Sequence, residues 1–167
     1  MVALKRILSN LGGTVGHGLM FRPSTRLSLV GYVYANWGLD FDDRRSTTGY
    51  YIYFGDNPIS WCSRKQQVVS RSSTEAEYRG LAAQHLMSHN NLVVSGTTSA
   101  NPVLHSKFKH VELDLFFVRE KVAASSLLVG EVSACDQVAD ILTKPLSASL
   151  FARFRSLLRV LEVWEDR

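Results

Sequence analysis

The sequence predicts one α/β domain whose sheet begins with an antiparallel three-strand meander, and three observations carry this. A chain of 167 residues, 46% hydrophobic and 20% charged, holds enough apolar material for one core and too little length for two comfortable domains. From Leu27 to Arg64 the pattern is β-rich, with a turn at Gly55-Asp56-Asn57-Pro58. Beyond Ser72 apolar residues recur every three or four positions, interrupted by a strand-like run at Ser126 to Val132.

The elements follow in order. Val2, Leu4, Ile7, Leu8 and Leu11 form a helical stripe that Gly12-Gly13 stops, a short amphipathic helix with no partner of its own. Leu27 to Tyr34 is apolar on both alternating faces, as a central strand requires. Gly49 to Phe54 and Ile59 to Arg64 make a hairpin after it. Ser72 and Glu75 have capping-box spacing, so a helix starts near Ser73 and runs through Ala76, Leu81, Ala82 and Leu86. Asn91 to Pro102 is weakly patterned; Leu92-Val93-Val94 reads as at most a brief strand, and Ser95 to Ala100 as a loop. Pro102 suits a first helical position, and Phe108, Val111, Leu115, Val118 and Val122 carry a stripe to Ala124. Asp136 is placed to cap a helix through Lys144, which Pro145 ends, and Leu150, Phe154, Leu157, Leu158 and Leu161 outline a last amphipathic helix.

Composition narrows function less than fold. No apolar run reaches the roughly 18 residues of a membrane span, so no membrane partner is expected. Lys and Arg exceed Asp and Glu by a net charge of +4, which favours polyanions without demanding them. Cys62 and Cys135 stand far apart without CxxC spacing, and the N-terminus lacks a secretory pattern, so a reduced intracellular setting, cytoplasmic or nuclear, is expected.

Several motifs then line up: Asp42-Asp43-Arg44-Arg45-Ser46-Thr47-Thr48-Gly49-Tyr50, Ile59-Ser60-Trp61, Ser72-Ser73-Thr74-Glu75-Ala76-Glu77-Tyr78, His105-Ser106-Lys107-Phe108-Lys109-His110 and Ala139-Asp140-Ile141-Leu142-Thr143-Lys144-Pro145-Leu146. In this order they resemble the ribonuclease H domain at the C-terminal end of the Pol polyprotein of Copia-type LTR retrotransposons. The resemblance runs from about Ala3 to about Val160. It implies a ribonuclease H-like mixed sheet with flanking helices. It also implies three parts: residues 1–18 as the end of the reverse-transcriptase connection region, 27–146 as the domain proper, and 147–167 as a C-terminal helix and tail. The implied activity is hydrolysis of the RNA strand of an RNA–DNA hybrid during reverse transcription. The implied partners are that hybrid and the remainder of the polyprotein with its reverse transcriptase.

Such hydrolysis uses two Mg²⁺ ions about 4 Å apart, one activating the water and one stabilising the leaving oxygen, and packing them that closely takes a cluster of hard carboxylate ligands. The family supplies an Asp on the first strand, a Glu on the first helix, an Asp after the fourth strand and an Asp near a late helix. The Glu matches Glu77 and the late Asp matches Asp140, which are therefore the expected catalytic and metal-binding residues. The family's Asp-Ala-Asp-Trp stands here as Tyr34-Ala35-Asn36-Trp37, putting Tyr34 in place of the first catalytic Asp. The motif with the third Asp is absent, and Ser95 or Gly96 would take its position if Leu92 to Val94 is a vestigial strand. Two carboxylates of four do not offset two Mg²⁺ ions, so an impaired nuclease is expected, with Asp40 or Asp114 as acids that would have to substitute. A non-catalytic nucleic-acid-binding or interaction module is the other reading.

Bland roles compete for most of these residues. Glu77 alone would be an ordinary helix acid, and Asp140 would simply pair with Lys144 four residues on, worth a few tenths of a kcal/mol. His85, His89, His105 and His110 offer zinc ligands but no HExxH glutamate, so they read first as ordinary histidines. Trp37, Trp61, Tyr50, Tyr51 and Tyr53 read as packing residues before stacking platforms. Arg44, Arg45, Lys65 and Lys109 are the cations singled out for hybrid phosphates, against the plain alternative of a solvated surface.

Overall fold

The computed structural model describes residues 14–38, 40–88, 92–96 and 112–163, together with residues 4, 5, 8 and 12. The expected N-terminal helix and the expected helix start at Pro102 lie largely or wholly outside the described residues.

At the centre is a five-stranded sheet in the order β4-β3-β2-β5-β6. Strand β2, Leu29–Asn36, starts two residues later than the pattern suggested and is the middle strand, as its two apolar faces require. It pairs antiparallel with β3, Thr47–Phe54, from Leu29 opposite Phe54 to Asn36 opposite Thr47. A tight turn at Gly55, whose φ of +59° suits glycine, leads into β4, Asn57–Lys65, completing the expected meander. On its other side β2 pairs in parallel with β5, Leu92–Gly96, which pairs in parallel with β6, Leu127–Glu131. The brief strand read at Leu92 to Val94 is therefore present and bonded on both edges: three apolar residues are enough for a short strand between two neighbours.

Alternation along the strands sorts side chains onto two faces. On one face Val33 of β2 and Ile52 of β3 pack with Leu81 and Ala82 of helix α1, Ser73–Ser88, with Val118 of helix α2, Glu112–Ala123, and with Leu127. Opposite, Tyr51 and Tyr53 of β3 pack on Val138 and Leu158. Val138 opens a single 3₁₀ turn, Val138–Leu142, and Leu158 follows helix α3, Ala148–Leu157.

Two C-terminal expectations need correction. The expected helix from Asp136 is this five-residue turn, and Gln137 caps it: its side-chain oxygen accepts from Ala139 N at 3.3 Å while its amide donates to Val33 O at 3.1 Å. Asp136 instead pairs with Arg153 at 2.6 Å. The last helix also stops before Leu161. Arg159 turns the chain with a φ of +61°, and Val160–Glu162 form β7, antiparallel to β1, His17–Leu19.

Candidate functional site

Helices α1 and α2 lie on one face and the 3₁₀ turn and α3 on the other, so the carboxyl ends of the parallel strands β2 and β5 lie at the edge where such folds have their crevice. That is where open α/β sheets place ligands. Tyr34 and Asn36 stand two apart on one face of this end of β2, toward the 3₁₀ turn. Asn36 ties the two together: its carbonyl accepts from Thr47 N at 2.7 Å and its amide donates to Thr143 O at 3.3 Å. An aspartate could make only the first of these bonds, so the Asn at the family's second Asp position works as a clamp.

Gly49, opposite Tyr34 on β3, lets the turn lie flat on the sheet; a Cβ there would come within 2.7 Å of Thr143 Cγ2, 2.9 Å of Leu142 Cβ and 3.0 Å of Ala139 O. Substituting Gly49→Ala is expected to cost about 1–3 kcal/mol by overpacking. Urea unfolding checks this, with Gly130→Ala, where a Cβ meets nothing within 4 Å, as the mild control.

The turn presents Asp140, only 5% exposed. Its Oδ2 receives the Lys144 ammonium at 2.9 Å, and its Oδ1 is buried without a hydrogen-bond partner. The same ammonium lies 3.8 Å from the centroid of the Tyr34 ring, a cation–π contact. Burial alone would lower the Lys144 pKa, but the Asp140 carboxylate, together with the Tyr34 side chain, outweighs it and holds the ammonium above its ordinary value. A fixed organic cation thus sits between Asp140 and Tyr34, two of the residues that the resemblance singles out. The i,i+4 spacing was visible in the sequence, but the burial that strengthens the pair was not.

Glu77 approaches the same end of β2 from the other face. Gly80 packs on Val33 and Thr48, and Gln66 bridges Thr48 Oγ1 at 2.9 Å and Ala76 O at 2.8 Å, so the first turns of α1 lie level with Ala35 and Asn36. Glu77 is half-buried there. Its neighbour Glu75 is structural: it accepts from Arg71 N at 2.7 Å and pairs with Arg79 at 2.6 Å, closing the cap with Ser72 one residue further out than the standard box. Arg79 also faces Asp114 at 3.6 Å, whose pKa burial raises.

A divalent-metal centre is what ribonuclease H-like folds generally carry, and the donor set described here does not fit two such ions. Oδ2 of Asp140 is held by Lys144 and its Oδ1 is buried, Tyr34 brings an aromatic ring where the family has a carboxylate, and the side-chain oxygen of Asn36 is spent on Thr47 N. Among the described residues no three His, Cys, Asp or Glu side chains converge on a point that could hold a metal ion.

The remaining expected residues divide. Lys65 pairs with Asp40 and with Asp43 at 3.2 Å, and Arg45 with Asp43 at 2.7 Å, so these cations are matched by acids. The bond from Arg45 N, together with the Arg45 and Lys65 side chains, outweighs burial and holds the Asp43 carboxyl down at about 2. Arg44, with a φ of +56°, stacks over Phe41. Lys109, His89, His105, His110 and residues 97–100 lie outside the described residues. His85 is buried edge-on to Phe117. Tyr51 stacks on Trp61 across the hairpin, while Trp37, half exposed, anchors its indole N–H on Ser70 O at 2.8 Å.

No family model matches the chain. Two curated proteins of Arabidopsis thaliana are similar to it along nearly its whole length: the retrovirus-related Pol polyprotein from transposon RE2, 42% identical over 181 residues, and that from transposon RE1, 43% over 183. Each match covers 96% of this chain, which spans only 12% of the length of those relatives. Among solved structures, the ribonuclease H1 of the halophilic archaeon Halobacterium salinarum NRC-1 has the same fold, with a TM-score of 0.54 over 69% of this chain and 93% of that one at 12% identity. A sheet of this order, joined to near-complete similarity with one stretch of those polyproteins, makes the chain a member of the retrovirus-related Pol polyprotein family, with a ribonuclease H-like fold.

Proposed function

We propose that the domain comes from the hybrid-cleaving part of a Copia-type Pol polyprotein and that its cleavage of the RNA strand is lost or strongly reduced. The observation that carries this is the Asp140–Lys144–Tyr34 arrangement. Phosphodiester hydrolysis needs the attacking water activated and the leaving oxygen stabilised, which Mg²⁺ supplies where carboxylates hold it. Here Lys144 neutralises Asp140 and Asn36 clamps the turn, so these side chains close the crevice rather than offer ligands. Two unpaired thiols, Cys62 and Cys135, agree with a reducing cytoplasmic or nuclear setting, where the hybrid and the reverse transcriptase would be its partners.

Incubating the chain with a labelled RNA–DNA hybrid in Mg²⁺ is expected to give cleavage at least about 10³-fold slower than an intact ribonuclease H, since one or both metal roles are missing. Comparable rates would refute the reading. Tyr34→Asp alone is expected to stay at background; substantial rescue by that change would mean another acid completes the centre.

The completeness of the sheet favours a second reading, a retained module that binds without cutting. Such a module melts cooperatively and its midpoint rises with added hybrid, because a ligand confined to the folded state stabilises it. A midpoint unmoved by hybrid at low salt would remove this reading.

A further inference from the structure

A cavity of about 630 Å³ lies at the opposite end of β2 from Tyr34 and Asn36, on the face covered by α3. Its walls include Tyr32 and Tyr53, in edge-to-face contact at 5.8 Å, and the arginines Arg26, Arg153 and Arg159. Arg153 is committed, pairing with Asp136 at 2.6 Å and donating to Cys135 O at 2.9 Å. The guanidinium groups of Arg26 and Arg159 neither hydrogen-bond nor pair with a carboxylate among the described residues, and neither phenol hydroxyl has a hydrogen-bond partner there. The remaining acid, Asp56, accepts from Ser24 Oγ at 3.2 Å. Two uncommitted cations and two O–H groups therefore face one carboxylate across a concave, partly aromatic space.

Backbone geometry adds an independent observation. Arg159 follows the C-cap Leu158 with a φ of +61°, a position where glycine is the unstrained residue. An arginine there accepts a conformational cost that glycine would avoid, and the result is a guanidinium at the cavity wall.

We propose that this cavity binds a phosphate ester of nucleotide size. Guanidinium forks match phosphate oxygens in pairs, and phenol O–H groups add further donors. The volume exceeds what a lone phosphate needs and falls in the range of small-ligand pockets. The ester arrives either as a free nucleotide or as the phosphorylated end of a single strand. The proposal stands apart from the reading of the crevice, so loss of cleavage does not bear on it.

Calorimetric titration of the full chain with adenosine 5′-monophosphate and with adenosine tests it. Fluorescence anisotropy with a labelled DNA 8-mer, with and without a 5′-phosphate, separates the two sources. The monophosphate is expected to bind at least tenfold more tightly than adenosine, and Arg26→Gln and Arg159→Gly are each expected to weaken it at least fivefold. Arg159→Gly should melt at or above the unsubstituted chain, which separates lost binding from lost folding. A phosphorylated 8-mer binding tenfold more tightly than the mononucleotide would identify a strand end, and equal affinity a free nucleotide. No preference for the phosphate, or affinity unchanged in both variants, overturns the proposal.

Discussion

Replacing Phe154 by alanine will cost the domain about 3–5 kcal/mol, the range for truncating a fully buried aromatic side chain. Phe154 has 0% exposure on α3, one turn before Leu158, which packs on Tyr51, Tyr53 and Val138. The loss combines the transfer of the ring to water with a cavity that the packed turn and sheet cannot collapse to fill. At about 2–4 °C per kcal/mol for a chain of this size, the unfolding midpoint should fall by roughly 10 °C. Phe151→Ala on the same helix, where the side chain is 48% exposed, should stay within about 0.5 kcal/mol. Similar losses for both would mean that α3 does not pack on the sheet as described. A large difference would make the segment after Pro145 part of the core rather than an appended tail.

Lys144→Met is expected to cost about 2–3 kcal/mol, with chemical unfolding of single and double variants as the measurement. Removing one partner of a buried ion pair costs about 3–5 kcal/mol because the other charge is left without compensation. One third of the Lys144 side chain reaches solvent, against 8% for Asp140, which argues for a figure below that range. Asp140→Asn should cost less, since the ammonium it leaves keeps its solvent access and the Tyr34 ring. Adding Asp140→Asn to Lys144→Met should recover part of the loss, a coupling of about 1–2 kcal/mol. A Lys144→Met cost under about 0.5 kcal/mol would instead class the pair with ordinary surface ion pairs.

Much of this was legible in the sequence, for reasons tied to particular residues. The meander announced itself through its apolar and aromatic β-rich runs and the Gly55-Asp56 turn, and α1 through Ser72 and Glu75, signals that local chemistry writes directly. Strand β5 was underestimated because a short parallel strand shows no alternation; its neighbours define it. The 3₁₀ turn and β7 were misread as helix because their determinants are tertiary. Gln137 is not a usual capping residue and works here through the Val33 carbonyl, while Arg159 makes a left-handed turn without the glycine that marks one. Of the candidate site, the family resemblance singled out Glu77, Asp140 and the odd Tyr34. That Lys144 fills the space between Asp140 and Tyr34 depends on the turn being pressed against Gly49, which pattern alone does not show. Asn36 carried a usable signal: two residues from Tyr34 in a strand, it had to share that face.

The pairing of β1 with β7 has a mechanical side. His17 is opposite Glu162 and Leu19 opposite Val160, so the two chain directions leading away from the domain leave from the same end of this short ladder. A pull transmitted along the polypeptide from neighbouring segments would open these pairs one after another, like a zipper, instead of shearing them together. The ladder would act as a soft coupling that yields first and spares the five-stranded sheet, whose strands are loaded only after it has opened.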